Sequence, residues 1–118
     1  MTWKILGSLL AAGTLQPAPA LATPAQDARD YRARIAALDD AGPELNAVIV
    51  AADADEAARA AAAAGLPLAG RTVLVKDNIE TREWPTTAGS LALAANDTRR
   101  DAPLVARLRA SGGVVLGK

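Results

Sequence analysis

Two short apolar runs, residues 72–75 and 114–116, most narrowly limit the folds open to this chain. Both runs are rich in valine and lack polar alternation, which is typical of strands buried on both faces of a parallel sheet. Between them Asp101 is a suitable helix N-cap and Pro103 fits a first helical turn, while glycines at 112–113 end the helix. A strand, a helix and a second strand in this order predict an α/β fold with parallel strands.

Two further helices are predicted upstream of these strands. Residues 26–38 carry apolar side chains at helical spacing, and residues 57–64 are mostly alanine, the strongest helix former. Asp53 is placed to cap the second helix, and Gly65 is placed to end it. The apolar residues 45–50 between the helices predict a strand or the start of the next element.

The connection formed by residues 78–100 is longer than most loops in compact domains. Such a segment is usually functional or contains structure of its own, and a short helix is predicted near Leu91. In the helix that follows, Leu104, Val105 and Leu108 are predicted to form the buried face.

The first 22 residues have the pattern of a secretory signal peptide. Lys4 precedes the apolar residues 5–15, and a small-residue site at 20–22 follows. The apolar segment is too short to span a bilayer, so a membrane anchor is the weaker interpretation, and an ordinary N-terminal helix is the other alternative. We expect cleavage after Ala22 and an exported protein in the periplasm or medium. Residues 23–118 then offer at most one domain, expected to be only the N-terminal part of one.

The composition excludes several classes of function. Acidic and basic residues balance at 13 each without a basic cluster, which argues against nucleic acid or an anionic membrane as partner. The chain contains neither histidine nor cysteine, so no transition-metal site is predicted, and Ser-His-Asp and Cys-His catalysis within these residues are excluded. Nucleophilic chemistry here needs a different base, and lysine is the obvious candidate.

Lys76 stands where the first predicted strand ends, followed by Asp77 and Asn78. Enzymes of the α/β class present catalytic groups at the carboxyl ends of their strands. A lysine is a useful base only when its ammonium loses its proton near neutral pH, and burial favours that loss because it disfavours the charged form. Lys76 is therefore expected to lie buried beneath the long connection. Taken alone, Lys-Asp-Asn is more often a solvated charge followed by a turn, and these residues leave that alternative open.

Three further segments extend the pattern around Lys76. Pro-Leu-Ala-Gly at 67–70 precedes the strand, Thr-Thr-Ala-Gly-Ser at 86–90 follows it, and residues 101–118 read DAPLVARLRASGGVVLGK. Together with the strand, these segments resemble the amidase signature family of serine amide hydrolases over about residues 45–118. The resemblance implies that the chain holds the N-terminal part of the family's layered α/β/α fold, with a mixed and largely parallel sheet.

The resemblance also implies a role for each matching residue. Lys76 is then the general base, in contact with a serine on a cis peptide that relays a proton from a second, nucleophilic serine. The supporting residues implied by the same motifs are Asp77, Asn78, Thr86, Thr87, Gly89 and Ser90. The family uses neither a metal nor an organic cofactor, and its substrate is a small-molecule or peptide amide.

The chain departs from the family pattern in several places. Thr72 stands where the family often has proline, and residues 111–113 read Ser-Gly-Gly in place of Ala-Gly-Ala. Trp84 replaces a smaller residue, and we expect it either to reshape a substrate pocket or to cover the core. The family's Gly-Gly-Ser-Ser-Gly-Gly segment is absent from these 118 residues, and neither Ser90 nor Ser111 is placed to replace its serines. We therefore expect no amidase activity from these residues alone.

Three functions follow as alternatives. An exported amidase that hydrolyses a carboxamide to an acid and ammonia or an amine is the favoured prediction. An amidotransferase subunit, which releases ammonia for aminoacyl-tRNA in the cytoplasm, fits the family but not the signal peptide. A short secreted α/β module that binds without catalysis is the alternative from a different class.

Two other motifs are interpreted as structural. Residues 112–118 match the start of a phosphate-binding loop, but a helix precedes them and their Val-Val-Leu interior favours a strand. Asp53, Asp55 and Glu56 are not followed by the central glycine and distal glutamate of a calcium loop, so helix capping is the preferred interpretation.

Overall fold

The computed structural model of the protein describes residues 23–53 and 56–118. The predicted signal peptide at 1–22 and the acidic Asp55 lie outside the described residues. The elements are α1 (Pro24–Leu38), α2 (Glu56–Ala62), β1 (Thr72–Leu74), a 3₁₀ helix (Leu91–Leu93), α3 (Pro103–Ala110) and β2 (Val114–Gly117). The alternation of helices and strands confirms the predicted α/β class.

The strands β1 and β2 pair in parallel, with α3 as the connection between them. Thr72 pairs with Val114, and the register shifts by one residue after Val73. All of β2 is buried, as predicted, but Leu74 of β1 is 48% exposed. The prediction of burial on both faces is therefore wrong for β1, because Leu74 lines an open apolar groove that α1 covers only in part.

Helix α1 begins two residues earlier than the periodicity predicts. The side chain of Thr23 accepts a hydrogen bond from the first turn, and Pro24 occupies a position where its missing N–H is not needed. On its inner side Ala28 packs against Ala60 of α2 and Val114 of β2. Small side chains at this junction allow both helices to approach the sheet closely.

Residues 45–52 form no regular strand, yet they run antiparallel to β2. The amide of Ile49 donates to the carbonyl of Lys118 at 2.7 Å, and the Lys118 amide donates to the carbonyl of Val50 at 2.9 Å. A third bond joins the Ala52 amide to the Leu116 carbonyl at 2.8 Å. This pairing fixes the backbone of the last residues of the chain.

The main core cluster lies between the sheet and α3, where Val75, Val105 and Val115 are buried and Trp84 and Leu108 pack around them. Trp84 thus covers the core, one of the two roles expected for it. The prediction that Leu104 shares the buried face of α3 is wrong, since it is 57% exposed. It lies one residue before Val105, about 100° around the helix, on the flank of that face.

The capping role predicted for Asp101 is also wrong. Pro103 is the first residue of α3, so Ala102 occupies the N-cap position, and it makes no side-chain cap. Asp101 instead accepts a hydrogen bond from the amide of Arg82 at 3.0 Å and pairs with Arg109 at 3.1 Å. It therefore joins the long connection to the last turn of α3.

Two shorter elements agree with the sequence patterns. The predicted short helix near Leu91 is present as the 3₁₀ helix. Helix α2 ends at Ala62, ahead of the predicted end at Gly65, because the Ala64 amide already bonds to a carbonyl three residues earlier. The glycine-rich residues 112–113 precede β2, so the motif at 112–118 is a helix end and a strand, as interpreted.

Candidate functional site

Lys76 lies just beyond the carboxyl end of β1. The Val75 amide donates to the Gly117 carbonyl at 2.9 Å, which continues the sheet by one residue, and the Ile79 amide donates to the Lys76 carbonyl at 3.0 Å, which closes a turn. The Lys76 side chain makes no hydrogen bond or ion pair with the described residues. Its backbone is therefore fixed while its amine remains available.

The expected burial of Lys76 is not observed, since its side chain is exposed. Burial alternates along this segment, with Val75 buried, Lys76 exposed and Asp77 buried. Successive side chains of an extended segment point to opposite sides, so the connection packs on Asp77 and leaves Lys76 on the open side. A cavity of about 360 Å³ lies there, lined by Ala47, Ile49, Lys76, Asp77, Asn78, Ala88, Gly89 and Lys118.

Asp77 joins this turn to the Thr-Thr-Ala-Gly-Ser segment. One carboxylate oxygen accepts the Thr87 amide at 3.3 Å and the Thr87 hydroxyl, and the other accepts the ammonium of Lys118 at 3.1 Å. The Ala88 amide donates to the Asp77 carbonyl at 3.1 Å. Burial raises the pKa of Asp77, but the hydrogen bonds from Thr87 and Lys118 outweigh it, so the pKa lies below its ordinary value of 3.8.

The remaining predicted site residues divide into two groups. Thr86 and Gly89 belong to the hydrogen-bonded turn: Thr86 is buried, and the Gly89 amide donates to the Thr87 hydroxyl at 3.2 Å. Gly89 has φ +74°, a left-handed conformation that suits glycine. Asn78 and Ser90 have exposed side chains that make no hydrogen bond among the described residues. The structure thus brings Asp77, Thr86, Thr87 and Gly89 together and leaves Asn78 and Ser90 outside the cluster.

Lys118 is a site residue that the sequence analysis missed. Its side chain is 1% exposed, and its ammonium donates to the Pro85 carbonyl and the Thr86 hydroxyl, each at 3.0 Å, as well as pairing with Asp77. The Lys118 network is the set of residues joined by these bonds: Lys118, Asp77, Pro85, Thr86 and Thr87. One signal in the sequence could have identified it: Lys118 directly follows a buried apolar strand. The motif that contains it, residues 112–118, was interpreted only as a helix end and a strand.

A second group of charges holds the far end of the connection. Arg100 donates two hydrogen bonds to Glu80, at 2.8 and 3.0 Å, and Arg109 pairs with Glu83 at 2.7 Å. The bond from Arg100 lowers the pKa of Glu80 and raises that of Arg100. The Arg100–Glu80 pair lies on the connection, and the Arg109–Glu83 pair joins the connection to α3. None of these four residues lines the cavity beside Lys76.

Residues 23–53 and 56–118 contain neither a metal cluster nor a membrane-spanning helix. No cluster of three or more histidine, cysteine, aspartate or glutamate residues there is arranged to hold a metal ion. Within the same residues, no helix has the length and apolar character needed to cross a bilayer.

Comparison with known proteins places these residues in context. A family model described as Amidase matches residues 29–118, three quarters of the chain. The chain belongs to the amidase family. The resemblance seen in the motifs around Lys76 is thus confirmed, and the α/β fold is a partial amidase fold.

The chain is similar to two kinds of protein in the amidase family, peptide amidases and amidotransferase subunits. The native peptide amidase of Stenotrophomonas maltophilia superposes with a TM-score of 0.72 and 41% identity, covering 82% of this chain and 21% of that one. A glutamyl-tRNA(Gln) amidotransferase subunit from Bordetella petrii is 49% identical over 64% of this chain and 14% of its own length. The corresponding subunit from Cupriavidus metallidurans is 42% identical over 77% of this chain and 19% of its own length. The chain therefore spans about a fifth or less of the relatives it matches.

Proposed function

We propose that the natural protein, at its full length, is an exported amidase that hydrolyses a carboxamide to an acid and ammonia or an amine. Lys76 is its general base. The observation that carries the proposal is the position of Lys76, whose backbone is fixed and whose side chain lines a cavity, in a chain of the amidase family. Its backbone is held between β2 and the following turn, while its side chain, which bonds to none of residues 23–53 and 56–118, lines a cavity of about 360 Å³. An amine on a fixed backbone, with no partner among the described residues, is placed to accept a proton. The burial that favours its neutral form would come from the rest of the natural protein, since the chain spans about a fifth or less of its relatives.

The chemistry assigns one proton transfer to this chain's own residues. In its neutral form the Lys76 amine accepts a proton from a serine, which in turn accepts one from the nucleophilic serine as that oxygen attacks the amide carbon. The proton held by the relay passes to the leaving nitrogen as ammonia or an amine departs. Water then attacks the acyl-enzyme, releasing the acid and returning a proton to the nucleophilic serine. The two serines belong to the family's triad, for which these 118 residues offer no motif. We accordingly expect no turnover from residues 23–118 alone.

The substrate proposal follows from a structural neighbour whose name states its activity. The matched crystal structures include a peptide amidase at 41% identity, and we propose a peptide C-terminal amide as the first substrate to test. Release of ammonia from an N-acetylated dipeptide amide is the assay. Lys76→Ala is the test variant, because loss of a general base lowers kcat by about 10²–10⁴-fold. Arg99→Ala, an exposed cation on the same connection, is the matched control and should keep the parent rate.

An amidotransferase subunit is the second candidate, favoured by the curated relatives that carry this name. It predicts that the natural protein hydrolyses glutamine and transfers the ammonia only in a complex with other subunits and aminoacyl-tRNA. The exported amidase instead acts alone on peptide amides. Intact mass decides the export question: a protein that begins at Thr23 has lost residues 1–22, whereas retention of Met1 or Thr2 contradicts export.

The non-catalytic secreted module makes a different prediction. Residues 23–118 as a complete module unfold in one sharp thermal transition and bind little hydrophobic dye. Several large apolar side chains are exposed here, including Leu45, Ile49 and Leu74. Exposed apolar surface of this kind binds dye and favours aggregation. We therefore expect strong dye binding from the isolated chain, the outcome that argues against an independent module.

A further inference from the structure

Lys118 is a buried cation whose hydrogen-bonding capacity is fully used. An ammonium has three donors, and those of Lys118 reach Asp77 at 3.1 Å and Pro85 and Thr86 at 3.0 Å each. Its backbone is bonded as well, to the residues that run beside β2. The position of this side chain is therefore set by the fold and not by solvent.

The network joins three separate segments at one point. Lys118 ends the stretch that contains β2, Asp77 belongs to the turn after β1, and Thr86 and Thr87 belong to the segment that returns towards it. Asp77 is the immediate neighbour of Lys76, so every contact that holds Asp77 also limits where the Lys76 backbone can lie. Lys76, Asp77 and Lys118 line one cavity.

Stability alone gives little reason to bury this pair. Removing two charges from water is costly, and well-packed apolar residues of similar volume generally stabilise a fold as well or better. An ion pair adds directional hydrogen bonds, since each oxygen of Asp77 and each donor of Lys118 has a defined partner. Directional bonds of this kind fix a geometry that apolar contacts leave looser.

We propose that Lys118 and Asp77 are positioning residues, which hold the Lys76 backbone so that its amine reaches the serine it deprotonates. This inference rests on the proposed function, in which Lys76 is the base. Lys118 touches no reacting atom in this role. Displacing a catalytic group by about 1 Å can lower the rate by about 10²-fold, so a loosened turn is enough to produce a large kinetic effect.

The kinetic test compares variants of the natural protein at its full length. Lys118→Met removes the charge but keeps most of the side-chain length, and Arg100→Met is the matched control because it breaks an exposed ion pair on the same connection. Ammonia release from an N-acetylated dipeptide amide gives kcat and KM. For the folded Lys118→Met protein we expect kcat to fall about 10²-fold with KM nearly unchanged, and Arg100→Met to keep both. A parent kcat in folded Lys118→Met overturns the proposal.

A rescue experiment separates positioning from general loss of structure. In Lys118→Cys the thiol can be alkylated with 2-bromoethylamine after unfolding, which restores an amine of nearly the same length on refolding. Positioning predicts that kcat returns towards the parent value, whereas mock-treated Lys118→Cys stays impaired. Failure of the refolded, alkylated protein to recover contradicts the role of the ammonium. Where Lys118→Met does not fold, Asp77→Asn decides by the same kcat criterion, since it keeps the side-chain shape.

Hydrogen exchange provides a readout that does not depend on activity. The Ile79 amide bonds to the Lys76 carbonyl, and the Ala88 amide bonds to the Asp77 carbonyl. Lys118→Met should speed exchange at both amides at least about tenfold, against no change in Arg100→Met. Unchanged exchange at Ile79 overturns the positioning role even if activity is lost. Lys76→Met, measured in parallel, tests the base assignment separately. If this variant keeps the parent kcat, Lys76 is not the general base, whatever hydrogen exchange shows about Lys118.

Discussion

The buried pair of Lys118 and Asp77 yields the most specific stability prediction. Asp77 is 7% exposed, and Lys118→Met leaves its carboxylate without the ammonium it pairs with. Removing one partner of a buried ion pair costs about 3–5 kcal/mol. Asp77 keeps its two hydrogen bonds from Thr87, so we expect the lower end, a loss of about 3 kcal/mol in the free energy of unfolding.

A double-mutant cycle isolates the interaction itself. Asp77→Leu alone strands the buried ammonium and should cost a similar amount, whereas the double variant Asp77→Leu/Lys118→Met leaves no unpaired charge. We therefore expect the double variant to lose less than the sum of the two single losses by about 2 kcal/mol. The remaining loss comes from Thr86 and Thr87, whose hydroxyls lose their charged partners.

Urea unfolding of the natural protein at neutral pH measures all three variants. The midpoint and slope give each free energy, provided the slopes agree. Arg100→Met serves as control, since its exposed pair with Glu80 should give no measurable change. Additive losses in the cycle, or a Lys118→Met protein as stable as its parent, would refute the reasoning that the pair is buried and coupled.

Three further predictions concern the same region. A short pulse of an amine-reactive ester should label Lys76 at least about tenfold faster than Lys118, because labelling Lys118 requires opening of the fold; equal rates contradict its burial. Gly117→Ala places a Cβ 2.2 Å from the Val50 carbonyl oxygen and should cost about 1–3 kcal/mol by urea unfolding, against no loss in Gly65→Ala, which meets open space. The pKa of Asp77 lies below its ordinary value of 3.8, so its stabilisation is complete above that pH and is lost as the pH falls through the lower folded pKa. Between about pH 5 and about pH 2 the free energy of unfolding should therefore fall more in the parent than in Asp77→Asn. Equal losses in the two proteins over this range contradict the prediction.

The elements that local patterns define were predicted well. Helix α1, the strand before Lys76 and the parallel strand after α3 all follow from apolar periodicity and from the glycines and prolines at their ends. The errors are of a different kind. Aspartate is a common N-cap residue, so Asp101 was predicted to cap α3. The helix begins at Pro103, which makes Ala102 the N-cap residue, and the Asp101 carboxylate pairs with Arg109 instead.

The candidate site shows why local patterns reach only part of a site. The motifs named Asp77, Thr86 and Thr87, and the structure joins them, yet the cation that links them is 41 residues beyond Asp77 in the sequence. A contact between the carboxyl ends of two neighbouring strands depends on their register, which composition does not contain. The same register decides that Asp77 faces inward and Lys76 outward, which reverses the expected burial.

The most direct test of the account is a chemical rescue at Lys76 in the natural protein. Lys76→Cys should lower kcat for an N-acetylated dipeptide amide by at least about 10²-fold, because a thiol replaces the base. Alkylation with 2-bromoethylamine restores an amine at the exposed position, and mock-treated and alkylated parent protein are the controls. The account predicts that activity returns only in the alkylated variant. Parent activity in Lys76→Cys before alkylation would contradict the assignment of Lys76 as the general base.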